Sequence, residues 1–460
     1  MAPVLLLSLL AVVILAAGAL VGLLGGRGLR HAQVPLPPLA LPTGRPTPSD
    51  VAAATATPAG VATSGVGTAP TAAEVQAALA APLADPRLGG RTLGQVVDLG
   101  TGTPLYRVGQ DTPVAPASTA KIVTAAAALT VYDADDRVTT TVVAGPTPGA
   151  VTLVGAGDPT LSAAAVGVPT TYAGAARISD LAAAVKAALA GTAVTAVYVD
   201  GAAFSGPATA TGWAPEDAPS EYGAPITAAM VDGARDTPTA TVRSGTPDLA
   251  AGQALADALG VPGVPVARAT TPAAATAEVL GSVQSAPISQ IVGEMLKESD
   301  NVLAEVLARL VAIERGDTAS FTGAAAAVRA VIPAAGDGLV DGSGLSVDDR
   351  LRAADLTGAL GTIASTERLR QIVAMLPVAG WDGTLRDRYL TAPESSGAGR
   401  VRAKTGTLTG VSCLSGLVVT TSGRLLAFAV LADQVTPTYD GTLQAESALD
   451  AVAAALSGLA

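Results

Sequence analysis

Histidine and cysteine are almost absent from this chain of 460 residues, which contains one of each. The histidine, His31, lies beside an apolar N-terminal run, so Ser-His-Asp and Cys-His catalytic arrangements are excluded from the body of the protein. The lone Cys413 excludes an internal disulfide and a Cys-rich zinc or iron–sulfur site, and its apolar surroundings favour a small core residue. A nucleophilic enzyme built from this chain would therefore activate serine or threonine with lysine or a carboxylate.

Lysine is also scarce, because only four of the 27 basic residues are lysines: Lys121, Lys186, Lys297 and Lys404. The chain uses arginine for the rest of its positive charge. Arginine keeps its proton inside a protein, whereas a buried lysine can lose its proton and act as a base. Two of the four lysines complete short motifs described below, which indicates that their chemistry is used.

Aromatic residues make up 3% of the chain and the formal net charge is −11. A chain this acidic and this poor in aromatics is not expected to bind nucleic acid. The apolar content of 49% can fill large cores, and the length allows two or three domains.

The N-terminus begins with an uncharged apolar segment over residues 3–25, long enough to span a bilayer. Arg27 and Arg30 follow the segment and no basic residue precedes it, which the positive-inside rule would assign to the wrong orientation. A start site placed too late, after a basic leader, would explain this. We predict a signal peptide or membrane anchor over residues 1–31, with a buried core helix as the alternative. No cysteine lies nearby, so a lipoprotein anchor is excluded.

Residues 32–71 are rich in proline, alanine and threonine and lack hydrophobic periodicity. This composition predicts a disordered, semi-extended linker. An anchor, a spacer and a folded body together predict a protein that works outside the cytoplasm, in the cell-wall space, and touches the membrane only through its N-terminal segment.

The first motif, Ser118-Thr119-Ala120-Lys121, leads into an apolar run of helical composition. Pro116 suits the first turn of a helix, so we predict that both Ser118 and Lys121 lie on that helix. Residues three apart share one face and can hydrogen-bond. The positive end of the helix dipole would then favour an oxyanion near Ser118.

The second and third motifs are Ser299-Asp300-Asn301 and Lys404-Thr405-Gly406-Thr407. The second lies between two predicted helices, and ordinary helix capping is its alternative interpretation. The third follows a predicted strand that places Lys404 and Gly406 on one face. The missing side chain of Gly406 would let a ligand lie against the backbone. An edge-strand lysine before a turn is the alternative.

Residues 137–271 differ in sequence pattern from the rest of the folded chain. They contain two helical stretches and short β-like runs over residues 139–146, 151–157, 193–201 and 239–245. We predict an inserted, smaller α/β domain there. Residues 72–136 and 272–460 would form the main domain.

The three motifs, in this order, resemble those of the penicillin-recognising serine enzymes. Within that group the chain is most similar to the D-alanyl-D-alanine carboxypeptidase/endopeptidase family of the penicillin-binding protein 4 type, the class C low-molecular-mass, peptidase S13-like group. The long interval from Lys121 to Ser299 supports this choice, as do the strings at residues 157–161, 341–346 and 378–385. The resemblance implies an α/β (α+β) fold: a penicillin-binding, β-lactamase-like catalytic domain, with an antiparallel sheet flanked by helices, carrying an inserted α/β domain. The interval is short for the family's larger members, so one inserted subdomain is expected to be missing.

The resemblance also implies a mechanism that needs no cofactor and no metal. Ser118 would attack the bond between the terminal D-alanines of a peptidoglycan stem peptide, with Lys121 as base. Ser299 would relay a proton and Asn301 would hold Lys121. The terminal carboxylate would bind Lys404, Thr405, Gly406 and Thr407. Backbone N–H groups of Ser118 and Thr407 would form the oxyanion hole, and β-lactam antibiotics would acylate Ser118.

The segment from Trp213 to Tyr222 resembles a family stretch in which an Asp and a Tyr hold the amino end of the third-residue side chain. By that analogy Asp217 and Tyr222 would bind substrate; an ordinary acidic surface loop is the alternative. The chain departs from the family at Val347, where an Arg is common, and Arg350 or Arg352 would have to replace it.

Two other functions stay open from the sequence. A serine β-lactamase would need a deacylating group, and its Glu-x-x-Leu-Asn string is absent. A non-catalytic scaffold that binds the cell wall would be expected to lose Ser118 or Lys121, and both are present.

Overall fold

A computed structural model describes residues 67–460. The predicted signal peptide or anchor and most of the predicted linker lie outside these residues. Among the residues described, no helix has the length and apolar character needed to cross a membrane.

The first sheet is fully antiparallel and has the strand order β2-β1-β10-β9-β8. Its strands come from both ends of the described chain: β1 Thr92–Asp98, β2 Thr103–Val108, β8 Val401–Leu408, β9 Val411–Val419 and β10 Leu425–Ala432. Strands β1 and β2 form a hairpin, and the apolar strands β9 and β10 lie near the C-terminus. The outermost strand, β8, carries the Lys404 motif.

Helices cover both faces of this sheet because its central strands are apolar on both sides. In β10, Ala427, Ala429 and Leu431 face a core of helices, whereas Leu426 and Phe428 face the terminal helix. Alternate side chains of a strand point to opposite faces, so burial of both faces requires a layer on each. One layer contains α1 Ala72–Leu83 and α10 Tyr439–Ser457; the other contains α2 Lys121–Val131, α5 Ile288–Lys297, α6 Asn301–Glu314, α7 Phe321–Val331, α8 Ala353–Ser365 and α9 Gln371–Met375.

A second sheet, with the order β6-β5-β4-β3-β7, lies between α2 and α5 in the sequence. It consists of β3 Thr139–Ala144, β4 Ala150–Val154, β5 Ala196–Asp200, β6 Val266–Arg268 and β7 Val279–Gln284, with α3 Ile178–Leu189 and α4 Pro247–Leu259. Strands β4, β5 and β6 are parallel, and the helices supply the connections that parallel pairing needs. A smaller α/β unit with a core of its own is therefore present.

Two details of this second unit differ from the sequence prediction. Residues 239–245 form no strand, and Arg243 within them is buried and pairs with Asp300. Strand β7 lies beyond residue 271, yet it pairs with β3. The second sheet therefore extends past the predicted end of the insertion at residue 271, and the division into two domains stays a prediction.

Candidate active site

Ser118 lies in a 3-10 turn, Ala117–Ala120, and the α-helix α2 begins only at Lys121. The prediction that Ser118 belongs to the α-helix is therefore wrong by one turn. Ala117 has a left-handed backbone (φ +46°), which breaks the α-helical path just before Ser118. The Lys121 Nζ and Ser118 Oγ atoms are nevertheless 2.9 Å apart. Ser118 is half-buried beside a cavity, and Lys121 is fully buried.

Lys121 contacts two further oxygens in addition to the Ser118 hydroxyl. Its Nζ is 2.6 Å from Asn301 Oδ1 and 2.8 Å from the Ser343 carbonyl oxygen. Burial lowers the pKa of Lys121 to about 8, although nearby carboxylates, Asp341 first among them, oppose this shift. A lysine with such a pKa reaches its neutral form near physiological pH, as a general base must.

In the motif at residues 299–301, the middle residue caps a helix and its two neighbours contact the buried lysines. Asp300 caps α6, since its Oδ1 accepts from the N–H groups of Val302 and Leu303. Ser299 and Asn301, on either side of it, reach Lys404 and Lys121 respectively. Ser299 has a left-handed backbone (φ +58°), a strained conformation often found at functional sites.

Two side chains of the second unit, Arg243 and Tyr172, bind the Asp300 carboxylate. Its Oδ2 accepts from Arg243 Nη2 and from the Tyr172 hydroxyl, both at 2.9 Å. Burial alone would raise the pKa of Asp300, but the Arg243 charge and hydrogen bond hold that pKa at about 2. The cap is therefore charged, which fixes the junction that carries Ser299 and Asn301.

Lys404 is the second fully buried lysine, on strand β8. Its Nζ is 3.0 Å from Ser299 Oγ and 2.9 Å from the Thr405 carbonyl oxygen. Burial first, and then the charge of Lys121, hold the pKa of Lys404 well below its usual range. Ser299 therefore contacts one buried lysine while Ser118 contacts the other.

Gly406 packs closely against the turn that carries Ser118. A Cβ at this position would lie 2.7 Å from the Pro116 carbonyl oxygen and 3.2 Å from the Ala117 Cβ. The missing side chain therefore admits the turn that carries Ser118. Close packing of β8 on that turn brings the third motif beside the first.

Thr405 and Thr407 both line the cavity, but their hydroxyls already have partners. Thr405 Oγ1 lies 3.0 Å from Thr384 Oγ1, and Thr407 Oγ1 donates to Glu446 Oε1 at 2.9 Å. Glu446 belongs to α10, and the sequence analysis missed it. Its distance from residue 407 along the chain left no local signal by which to find it.

The cavity has a volume of about 690 Å³, and it brings the predicted binding residues together with the three motifs. Asp217 and Tyr222 line it together with Ser118, Ser299, Asn301, Thr405 and Thr407. Tyr222 is 62% exposed, so its ring is available to a ligand. Asp217 Oδ2 accepts from the Ala214 N–H, which shapes its loop and leaves Oδ1 available to a ligand.

Val347, which is 55% exposed, occupies the position where the family commonly has an Arg. The two arginines expected to substitute for that Arg, Arg350 and Arg352, lie in different surroundings. Arg350 lines a smaller cavity together with Val347, Leu408 and Thr409, and its Nη1 donates to the Val347 carbonyl. Arg352 pairs instead with Asp355 at 3.9 Å. Only Arg350 is therefore placed beside Val347.

Comparison with known proteins identifies the family. The sequence matches the D-Ala-D-Ala carboxypeptidase 3 (S13) family over residues 75–242 and 234–456. The chain belongs to this family. A carboxypeptidase of Mycobacterium tuberculosis is 44% identical over 403 residues, covering 84% of each chain. The carboxypeptidase DacB of Mycolicibacterium smegmatis is 43% identical over 442 residues, covering 93% of this chain and 90% of the relative. The resemblance inferred from the motifs is confirmed.

The fold is similar to that of penicillin binding protein 4 from Haemophilus influenzae, with a TM-score of 0.66 at 19% identity. The match covers 83% of this chain and 98% of the other. That protein is also known in complex with a β-lactam. The predicted fold class, a penicillin-binding α/β fold, is confirmed.

Proposed function

We propose that this S13 family member is a serine-type D-Ala-D-Ala carboxypeptidase that trims peptidoglycan stem peptides through an acyl-enzyme on Ser118. The observation that carries the proposal is the 2.9 Å contact between the half-buried Ser118 hydroxyl and the fully buried Lys121 amine. Family membership supports the substrate class. The test is release of D-alanine from a purified stem pentapeptide.

Acylation begins with proton transfer from Ser118 Oγ to the neutral Nζ of Lys121. Oγ then bonds to the carbonyl carbon between the two terminal D-alanines, and negative charge develops on the carbonyl oxygen. Backbone N–H groups of Ser118 and Thr407, whose residues both line the cavity, would stabilise that charge. Asn301 and the Ser343 carbonyl keep the amine aimed at Ser118.

Collapse of the intermediate releases D-alanine, whose nitrogen must gain a proton. Ser299 relays to it the proton that Lys121 took from Ser118, which returns Lys121 to its neutral form; the Ser299 hydroxyl lies on the cavity wall, 3.0 Å from Lys404 Nζ. Water then attacks the ester with Lys121 again as the base, which frees Ser118. A β-lactam enters by the same first step and keeps its amine tethered, so deacylation is slow.

The terminal carboxylate of the substrate would bind Lys404, Thr405 and Thr407, beside Gly406. Its negative charge supplies the counter-ion that the buried Lys404 lacks, which favours the charged form of that lysine. The Thr407 hydroxyl must leave Glu446 to donate to this carboxylate. Carboxylate binding is therefore expected to be coupled to the charge of Lys404.

An endopeptidase activity is the alternative to the carboxypeptidase activity. It would use the same acyl-enzyme on Ser118 to cleave cross-linked peptides. The cavity continues past Thr407 along α10, where Tyr439 and Leu443 line it. A cross-linked leaving group is longer than D-alanine and would lie there. Comparing release of D-alanine from a pentapeptide with cleavage of a cross-linked dimer, under one set of conditions, decides the balance.

A serine β-lactamase and a non-catalytic wall-binding scaffold remain distinguishable by experiment. Fluorescent penicillin labels a carboxypeptidase persistently, a β-lactamase only transiently, and a scaffold not at all. Nitrocefin turnover then separates the first two. We expect persistent labelling and slow turnover.

The protein acts outside the cytoplasm in this proposal, since its substrate lies in the cell wall. The apolar segment over residues 3–25 would export the chain or anchor it. Fractionating cells that express the full chain, with detection of the protein in membrane and soluble fractions, tests the anchor. A wholly cytoplasmic protein would contradict both forms of the proposal.

Replacing Asp217 with alanine is expected to weaken hydrolysis of peptides with a free amino group on the third-residue side chain. A charge-assisted contact is worth about 1.5–3 kcal/mol, so kcat/KM should fall about tenfold to a hundredfold. The same peptide with that amine acetylated should lose little, and penicillin acylation should be nearly unchanged. Steady-state kinetics on the two peptides measures the difference.

Glu216→Ala is the matched control, because Glu216 is an exposed acid next to Asp217. It should leave both peptides unaffected. An equal loss for the free and acetylated peptides in Asp217→Ala, or no loss for either, would make Asp217 an ordinary surface acid.

A further inference from the structure

The two partners that hold Lys121, other than Ser118, are each fixed by one stretch of the second unit. We call residues 211–223 the clamp segment. It runs along the cavity wall and contacts Asn301 directly and the Ser343 loop through Asp341. The general base is thus held from two sides by a single segment that lies far from it in sequence.

The first contact runs through the Trp213 indole. Its Nε1 donates to Asp341 Oδ2 at 2.8 Å. Asp341 is 1% exposed and also accepts from the backbone N–H groups of Ser343, Gly344 and Ser346, at 3.0, 2.6 and 2.8 Å. These bonds define the loop whose Ser343 carbonyl accepts from Lys121.

Further contacts seat the clamp segment on this loop. Ser346 Oγ donates to the Thr211 carbonyl at 2.7 Å, and the Val347 N–H donates to the Gly212 carbonyl at 3.3 Å. Gly212 has φ +82°, and a Cβ there would lie 2.4 Å from Ser346 Oγ. The approach is therefore too close for any residue with a side chain.

The second contact runs through the Tyr222 backbone. Asn301 Nδ2 donates to the Tyr222 carbonyl at 3.0 Å, while Asn301 Oδ1 is 2.6 Å from Lys121 Nζ. With its N–H₂ group bound to a carbonyl, the amide can present only its oxygen to the lysine. The Tyr222 carbonyl therefore sets the orientation of Asn301.

Trp213 also acts on the charges around Lys121. The charged groups around Lys121 lie on three elements. They are Asp300 at the start of α6, Glu305 and Arg309 within α6, Asp341 and Asp349 in the loop that carries Ser343, and Lys404 on β8. Among the carboxylates, Asp341 has the largest effect in raising the pKa of Lys121. The indole N–H offsets part of the Asp341 charge.

We propose that the clamp segment is the positioning element of the general base, and that Trp213 is its positioning residue, acting through Asp341. The proposal rests on the proposed function, in which Lys121 is the base. Trp213 touches no reacting atom in this scheme. Because Asp217 and Tyr222 belong to the same segment, a stem peptide bound to them would rest on the element that holds Lys121.

Trp213→Phe tests the proposal, because phenylalanine removes the N–H donor and keeps an aromatic ring to pack on Phe321, which lies edge-to-face with Trp213 at a ring-centroid distance of 5.4 Å. The acylation rate with penicillin at neutral pH should fall about tenfold, since small misplacements of a base are costly. With the Asp341 charge less offset, the pKa of Lys121 rises. The acid limb of the acylation profile should therefore move to higher pH, by about half a unit.

Trp381→Phe is the matched control, since it makes the same chemical change at the other tryptophan, which is 77% exposed. It should leave the rate and the pH profile unchanged. A Trp213→Phe protein that acylates at the wild-type rate with the wild-type acid limb would overturn the proposal. A lowered melting temperature with an unchanged acid limb would overturn it too.

Adduct formation by the wild-type protein distinguishes failure of the positioning role from failure of the proposed function. If the wild-type protein forms no adduct on Ser118, the proposed function is wrong. If the wild type forms the adduct and Trp213→Phe matches it at every pH, only the positioning role is lost. A rate deficit in Trp213→Phe that shrinks as the pH is raised supports it, since purely structural damage would persist.

Discussion

Ser118→Ala is expected to abolish covalent labelling by penicillin and release of D-alanine. The Ser118 hydroxyl is the one that lies 2.9 Å from the buried Lys121 amine on the wall of the main cavity. Removing it leaves the base without a nucleophile to activate. Labelling with a fluorescent penicillin, followed by intact-protein mass measurement, checks the result.

Ser299→Ala is the informative comparison, because Ser299 is the other serine placed against a buried lysine in the cavity. That variant keeps the nucleophile and should still be labelled, but more slowly. Labelling of Ser118→Ala at the wild-type rate would move the nucleophile elsewhere. Equal melting temperatures of the variants would show that lost labelling is not lost folding.

The order and spacing of the three motifs allowed the family and fold class to be predicted from the sequence. Local patterns also predicted the helices on either side of Ser299. These helices follow from helical apolar patterns that a short window contains. Asp300, which favours a helix start, caps α6 as the alternative interpretation expected.

The contacts that complete the site could not be predicted, because they join residues far apart in the chain. Ser343 supplies only a backbone carbonyl to Lys121, and no side-chain chemistry marks such a contact. Glu446 reaches Thr407 from the terminal helix. Gly406 shows the same limit, since its packing on Pro116 is invisible in either local sequence.

Strand β7 was assigned to the main domain for a similar reason. Its sequence is compatible with either sheet, and only pairing with β3 places it in the second one. Residues 239–245 have strand-like composition but form no strand, and Arg243 within them pairs with Asp300. In both cases the observed contact joins residues far apart in the chain.

Lys121→Arg is expected to damage acylation about as much as Lys121→Ala, whereas Lys404→Arg should be milder. Arginine cannot lose its proton in a protein, so it cannot take the proton of Ser118. Lys404 need only supply positive charge to a substrate carboxylate. Loss of a general base typically costs about 10²- to 10⁴-fold in rate. Stopped-flow acylation with a reporter β-lactam measures all three variants.

The pH dependence of acylation separates a missing base from a distorted site. In the wild type the rate should rise with pH through the region near 8, because Lys121 must be neutral and burial lowers its pKa to about 8. Lys121→Ala and Lys121→Arg should lose this rise, whereas Lys404→Arg should keep it. Both lysines are fully buried, so arginine overpacks both positions, and the pH dependence rather than the rate alone identifies the missing base. Near-normal acylation by Lys121→Arg, with the pH dependence retained, would overturn Lys121 as the base.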